Sequence, residues 1–240
     1  MVLVLWDIDH TLIDTRGVGR ELSAEAFHRT TGLQMRQQAK VDGITEAVIF
    51  RETAKLHGLT TDRADFERFA RELVAAHQRR IADLRERGCA LPGAAAALDA
   101  LAAQPDVRQS VLTGNVRGVA EIKLQTFGLD QHIGWEAGAY GEDDDVRSEL
   151  VRIALERATL TPADAVLIGD TPADVEASHD SGVRIIAVAS GHSNEADLQA
   201  AGADVVLPDL QNTDLLLKLV LHSTTPEHSR PSTSINRLVE

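Results

Sequence analysis

The chain has 240 residues and a mass of 25.9 kDa, room for one large domain or two small ones, with the 43% hydrophobic and 25% charged residues of an ordinary folded protein. Its 37 acidic residues against 24 Lys and Arg leave a formal net charge of −13, which disfavours a nucleic-acid or anionic-membrane partner. A lone cysteine, Cys89, excludes an intramolecular disulfide framework and a cysteine-only metal site, and reads as a small apolar filler.

The first apolar run, Val2–Trp6, predicts a buried strand that delivers Asp7 to its carboxyl end, with Asp9 and Thr11 close behind. Two carboxylates this close repel unless a cation or a shared proton intervenes. Read alone, such a pair is better explained as a helix cap and a solvated turn residue. About a hundred residues then pass before the next clear strand, whereas a βαβ unit needs only about 30. That interval reads as helix: Gly19–Thr30 before Gly32, Glu46–His57 before Gly58, and a long one from an N-cap at Asp62. The last carries Phe66, Phe69, Leu73, Ala76, Ile81 and Leu84 at steps of mostly three to five and stops at Gly88. Residues 15–90 are therefore expected to form a helical insertion. Ligands in open α/β sheets bind beyond the carboxyl ends of the strands, so this insertion would roof the site.

After a helix at Gly93–Ala103, a strand at Ser110–Leu112 ends in Thr113-Gly114-Asn115, just before a helix at Val116–Phe127. A hydroxyl at a helix start sets Oγ, backbone N–H groups and positive dipole at one point, which suits a phosphate oxygen or serves simply as a cap. A short strand is expected near Ile133–Trp135. The run Glu142-Asp143-Asp144-Asp145 reads as a solvated acidic loop rather than a metal cluster. A helix at Ser148–Ala158 leads to a strand at Ala165–Ile168, which delivers Asp170 with Asp174 four residues later. Hard oxygen donors from two neighbouring strand ends are what Mg²⁺ accepts. The same residues also make a good helix start, with Asp170 or Thr171 as cap, Pro172 in the first position and Asp174 in the first turn. A helix at Asp174–Asp180 and strands at Arg184–Ala189 and Asp204–Leu207 follow. The strands are near-continuously apolar rather than alternating, as in a parallel α/β sheet covered on both faces. Residues 223–240, rich in Ser, Thr and Pro, are expected to be disordered.

Taken in order, Asp7/Asp9/Thr11, then Thr113, then a cation, then Gly169-Asp170/Asp174 resemble the haloacid dehalogenase superfamily. That family's pattern is Asp-x-Asp-x-Thr, a Ser or Thr after an apolar strand, a Lys or Arg, and Gly-Asp-x-x-x-Asp. The resemblance spans about 220 of the 240 residues. It implies a Rossmann-like core of residues 1–14 and 91–222, with the first strand central and the Thr113 and Asp170 strands beside it. It also implies a helical cap of the C1 type over 15–90. By the same resemblance the chain is an Mg²⁺-dependent phosphatase acting on a small soluble phosphomonoester through an aspartyl phosphate. Asp7 would be the nucleophile, and Asp9 the general acid and base with a pKa above that of a free Asp. The metal would be held by Asp7, the Asp9 backbone carbonyl and Asp170, with Asp174 beside it; Thr113, Gly114 and Asn115 would bind phosphate oxygens.

For the cation, Arg147 lies 34 residues after Thr113 and is favoured over Lys123, which lies only ten after it and is expected to point away from the strand ends. His10 stands where such phosphatases often have Gly. The stretch Val41–Glu46 resembles the specificity loop of phosphoglycolate phosphatase-like members, with Gly43 permitting close backbone approach and Thr45 touching substrate. An acid at Asp9 separates the chain from dehalogenases and phosphonate-cleaving relatives. A sugar phosphomutase of the β-phosphoglucomutase type is the alternative. A receiver-type signalling module is disfavoured, being about half this length with its acceptor on a later strand. The expected partner is a small phosphorylated metabolite, not nucleic acid or membrane, with monomer and homodimer both open. The N-terminus lacks a basic leader and no apolar run reaches ~18 residues, so the cytoplasm is the expected location.

Overall fold

A computed structural model describes residues 1–221; the tail expected to be disordered lies outside the described residues. Along the chain, β1 (Val2–Trp6) and β2 (Ile13–Asp14) precede four helices: α1 (Val18–Thr31), α2 (Glu46–Leu56), α3 (Arg63–Arg79) and α4 (Ile81–Arg87). There follow β3 (Cys89–Ala90), α5 (Ala94–Ala102), β4 (Val107–Val111) and α6 (Arg117–Thr126). The rest comprises α7 (Arg147–Ala158), β5 (Ala165–Gly169), α8 (Pro172–Ser181), β6 (Arg184–Val188), α9 (Glu195–Ala200), β7 (Val205–Leu207) and α10 (Thr213–Leu221).

Five strands form one parallel sheet in the order β4-β1-β5-β6-β7. Each buried strand feeds both faces. Val2, Val4 and Trp6 of β1 join a core with α5, α6 and α10, while Leu3 and Leu5 join another with α7, α8 and α9. This double coverage explains why the strands read as unbroken apolar runs. The one polar side-chain atom of β1 is matched: Trp6 Nε1 donates to Gln109 Oε1 at 3.0 Å. Because β1 lies between β4 and β5, the residues just past their carboxyl ends, Asp7, Thr113 and Asp170, meet at one edge. No helix among the described residues is long and apolar enough to cross a membrane.

The four helices α1–α4 bury a core of their own, with Leu22, Phe27, Phe50, Phe66, Phe69, Leu73 and Leu84 joined by Val116 and Val119 from the α6 end. Phe50 stacks on Phe69 with ring centroids 4.6 Å apart. The chain leaves and re-enters the sheet region through the antiparallel pair β2 and β3, in which Ile13 faces Ala90 and Asp14 faces Cys89. Asp62 caps α3 as the sequence predicts, in a reciprocal pair of hydrogen bonds with Asp65.

Two expectations fail. The single helix running to Gly88 is broken at Arg80 (φ −113°, ψ 27°), giving α3 and α4. The five-residue step from Ala76 to Ile81 does not stay on one helical face, and a new axis is needed to bury Leu84. Arg80 secures the corner by pairing with Glu21 and Asp83. The strand expected near Ile133–Trp135 shrinks to one bridge between Gln109 and Ile133, followed by a short 3-10 turn at Trp135–Ala137 flanked by Gly134 and Gly138.

Candidate active site

Asp7 leaves β1 into a position only 7% exposed, where an oxygen of its carboxylate, one of Asp170 and one of Asp174 lie within 4.8 Å of one another. Each acid is held by its own local structure. Asp170 Oδ1 accepts from Thr11 Oγ1 at 3.2 Å. Asp174 Oδ2 accepts from Thr171 N at 3.0 Å and Thr171 Oγ1 at 2.6 Å, the capping box that starts α8. Thr171 is thus the N-cap residue, and Asp174 serves both as its partner in the capping box and as a member of the cluster.

Arg147, the first residue of α7, is the cation of this cluster. Its Nε donates to Asp174 Oδ1 at 2.8 Å and its Nη2 to Asp7 Oδ1 at 2.9 Å. The planar guanidinium suits this bridge in a way an ammonium does not. One cation still leaves three acids short of charge balance. Burial pushes the Asp7 carboxyl up, against the pull of Arg147, and the charges of Asp174 and Asp9 add to it. Burial likewise pushes Asp170 up, followed by the charges of Asp7 and Asp174. Buried, closely spaced hard oxygen donors that resist ionisation together are a fit for a divalent cation.

Asp9 is turned away from this cluster. Its carboxylate accepts from Lys123 Nζ at 2.7 and 2.8 Å and from Asn115 Nδ2 at 2.7 Å. Two expectations are corrected here. Lys123 does not point away from the strand ends. It lies ~9 Å along α6 from the helix start, side chains on a helix lean toward its N-terminus, and its long stem carries the ammonium back to Asp9. Nor is Asp9's pKa raised. Burial alone would raise it, but the charge and hydrogen bonds of Lys123 and the hydrogen bond from Asn115 outweigh burial, and the group lies below the ordinary carboxylate value. The question of Arg147 or Lys123 thus resolves into two cations, each bonded to a different carboxylate of the Asp-x-Asp pair.

Thr113 is fully buried, and its Oγ1 accepts from Asn115 N at 3.2 Å and Nδ2 at 2.8 Å, so this turn is ordered by its own side chains. Lys123 Nζ also donates to Asn115 Oδ1 at 2.7 Å. The insertion docks directly on this turn: Glu46 N donates to Gly114 O at 2.8 Å. A Cβ on Gly114 would lie 2.3 Å from Ile44 O, so only glycine allows that approach. Gly43 (φ +68°) is required for the same reason, since a Cβ there would sit 2.3 Å from the Ala173 Cβ. It packs on the start of α8.

A cavity of about 1070 Å³ opens between sheet edge and insertion, lined by Asp7, Asp9, Thr113, Asn115, Lys123, Arg147 and Asp170 from the core side. From the insertion, Gly43, Ile44, Glu46 and His77 reach it. Thr45 does not line it: as the N-cap residue of α2 its hydroxyl is buried without a partner, and it is its neighbour Glu46 that lines the cavity. His10 lines the cavity at φ +62°, a conformation that explains why glycine suits this place, and its ring lies 4.7 Å from that of His192. The acidic loop holds no cluster: Glu142 accepts from Arg117 N, Asp143 pairs with Arg157 and Asp145 with Arg51. Glu46 and His77 escaped the sequence reading. The available signal was a histidine four residues after Leu73, on the apolar face of α3.

Comparison with known proteins adds the following. The family described as haloacid dehalogenase-like hydrolase matches residues 4–179, and a HAD-hydrolase-like family matches residues 147–213. A phosphoglycolate phosphatase of Cupriavidus necator is 30% identical over 153 residues, 62% of this chain. The match spans 64% of that relative, so less than two thirds of its length is represented. A hydrolase from Pseudomonas syringae superposes with a TM-score of 0.67 at 21% identity, over 91% of this chain and 98% of that one. A putative β-phosphoglucomutase from Thermotoga maritima gives 0.60 at 20% identity, over 92% and 100%.

Proposed function

The chain belongs to the haloacid dehalogenase-like hydrolases, and on that footing we propose that it is a phosphatase for small phosphomonoesters, with Asp7 as nucleophile and residues 15–90 as its cap. The observation that carries the reading is the division of labour within Asp-x-Asp. Asp7 lies in a buried acidic cluster with Arg147, while Asp9, two residues on, is bonded to Lys123 and Asn115.

Mg²⁺ would be held by the carboxylates of Asp7, Asp170 and Asp174, with the Asp9 backbone carbonyl as the further ligand that the family resemblance implies, and when bound it would supply the positive charge that offsets repulsion between Asp7 and phosphate oxygens. A carboxylate oxygen of Asp7 attacks phosphorus, the bond to the ester oxygen breaks, and an aspartyl phosphate forms. Arg147 keeps Asp7 oriented through its bond to Oδ1, and the Thr113 hydroxyl with the Gly114 backbone N–H holds the transferring oxygens. With Asp9 ionised in the resting site, the proton for the departing alcohol comes from Lys123 Nζ, which is bonded to both Asp9 oxygens. Asp9 then accepts the proton of the water that hydrolyses the aspartyl phosphate and returns it to Lys123. The likeness to phosphoglycolate phosphatase and a cavity roofed by residues 15–90 both support a small substrate.

Phosphate release from a panel of small phosphomonoesters tests this, with Mg²⁺ or with EDTA. Release that requires the metal is expected. Isomerised sugar phosphate without release would instead favour the mutase reading, and no turnover of any ester would refute the phosphatase. Asp9→Asn, which keeps shape and loses proton transfer, is expected to lower kcat by about 10²–10⁴-fold. A rate within a factor of about two of wild type would remove Asp9 from acid–base work.

A further inference from the structure

The cap side of the cavity carries polar groups that the phosphoryl chemistry does not use. His77 is 2% exposed on α3 and its Nδ1 lies 2.9 Å from Leu73 O, so Nδ1 holds the ring proton and Nε2 is left as a lone-pair acceptor. That Nε2 is buried with no partner, and so is Oε2 of Glu46. Burial, with Lys123 nearby, lowers the His77 pKa to about 4, which keeps the ring neutral. Lys123 cannot serve these acceptors, because its ammonium already donates to both Asp9 oxygens and to Asn115 Oδ1. Burial, offset in part by Lys123, pushes the Glu46 carboxyl up to about 7. His77 Nε2 and Glu46 Oε2 thus both stand at the cavity wall without a partner, an arrangement that costs stability unless a ligand or water supplies the hydrogen bonds.

We propose that Glu46 and His77 form a subsite that accepts hydrogen bonds from hydroxyl groups on the alcohol portion of the substrate, which makes the substrate a polyol or sugar phosphomonoester rather than a phosphorylated carboxylate. This rests on the phosphatase reading and refines it. A carboxylate at that place would meet the His77 lone pair and a Glu46 carboxyl already pushed up to about 7 by burial, so it could be held only with the uptake of a proton by Glu46. An amine would bring a second positive charge toward Lys123. A neutral hydroxyl matches both acceptors. The further cations lining the cavity, Arg16, Arg20 and Lys40, are exposed, at its solvent side.

The test compares sn-glycerol 3-phosphate and ribitol 5-phosphate with ethyl phosphate and 2-phosphoglycolate, as kcat/KM of the Mg²⁺-loaded enzyme. The hydroxylated esters are expected to exceed both others by about tenfold or more, because a site built to bond a hydroxyl discriminates strongly against analogues lacking it. Glu46→Gln and His77→Phe are each expected to shrink the ratio of hydroxylated ester to ethyl phosphate by about fivefold or more. Dissociation constants of the same esters on the Asp7→Asn protein, by calorimetry, give the ranking without turnover. Loss of all hydrolysis with the ranking retained would refute the phosphatase and leave the subsite standing. Tighter binding or faster turnover of 2-phosphoglycolate, or a ratio unmoved by both variants, would overturn the subsite whatever the reaction proves to be.

Discussion

Asp7→Asn is expected to lower kcat by about 10⁴-fold or more while leaving the protein folded, because an amide oxygen cannot form an aspartyl phosphate. Asn keeps the volume of Asp and can still accept the hydrogen bond that Arg147 donates at 2.9 Å. The substitution also removes one of three buried like charges. In EDTA at neutral pH the variant is therefore expected to be at least as stable as wild type, by urea unfolding. Its affinity for divalent metal should fall, having lost an anionic oxygen. Activity reduced by less than about tenfold at saturating metal would remove the nucleophile assignment.

Arg147→Met is expected to have the second largest effect, and to change stability and rate together. Its guanidinium, 8% exposed, is the cation bonded to both Asp7 and Asp174. Removing one partner of a buried ion pair leaves uncompensated charge, at a cost of about 3–5 kcal/mol in metal-free protein. Bound Mg²⁺ should recover part of that loss. The rate at saturating metal should still fall by about 10²–10³-fold, since a donor that orients the nucleophile is gone. The pH dependence has a defined sign. Burial and neighbouring acids raise the Asp7 and Asp170 pKa values in the folded chain, so the folded state binds protons more tightly than the unfolded one. Stability contributed by those protons is present at low pH and is lost as pH rises through the raised values. In EDTA both wild type and Arg147→Met should lose stability between about pH 5 and pH 9, the variant more steeply. A flat or rising profile for both would contradict the charge balance of the cluster.

The sequence carries the strand-end aspartates well, because a buried strand ending in Asp has few ways to place it. Asp7, Thr113 and Asp170 come together since β1 lies between β4 and β5, an order that apolar runs alone do not specify and that the family resemblance supplied. What the sequence could not convey is direction. Lys123 sits mid-helix, and whether its head meets solvent or Asp9 depends on how α6 lies against the sheet edge. Asp9's pKa follows from that contact, and so was read with the wrong sign. The corner at Arg80 was hidden because Ile81 and Leu84 continue the apolar pattern closely enough to pass for one helix. Thr45 and Glu46 are adjacent, and only the docking of residues 43–46 onto Gly114 and Ala173 decides which of them lines the cavity.

The central claim is that a covalent bond forms between Asp7 and phosphorus. Acid quenching during turnover, followed by borohydride reduction and peptide mass mapping, tests it most directly, because reduction of an aspartyl phosphate leaves homoserine. Homoserine at position 7, dependent on substrate and on metal, is the predicted result. Sustained phosphate release with Asp7 unmodified, or with the reduced residue at another acid, would contradict it.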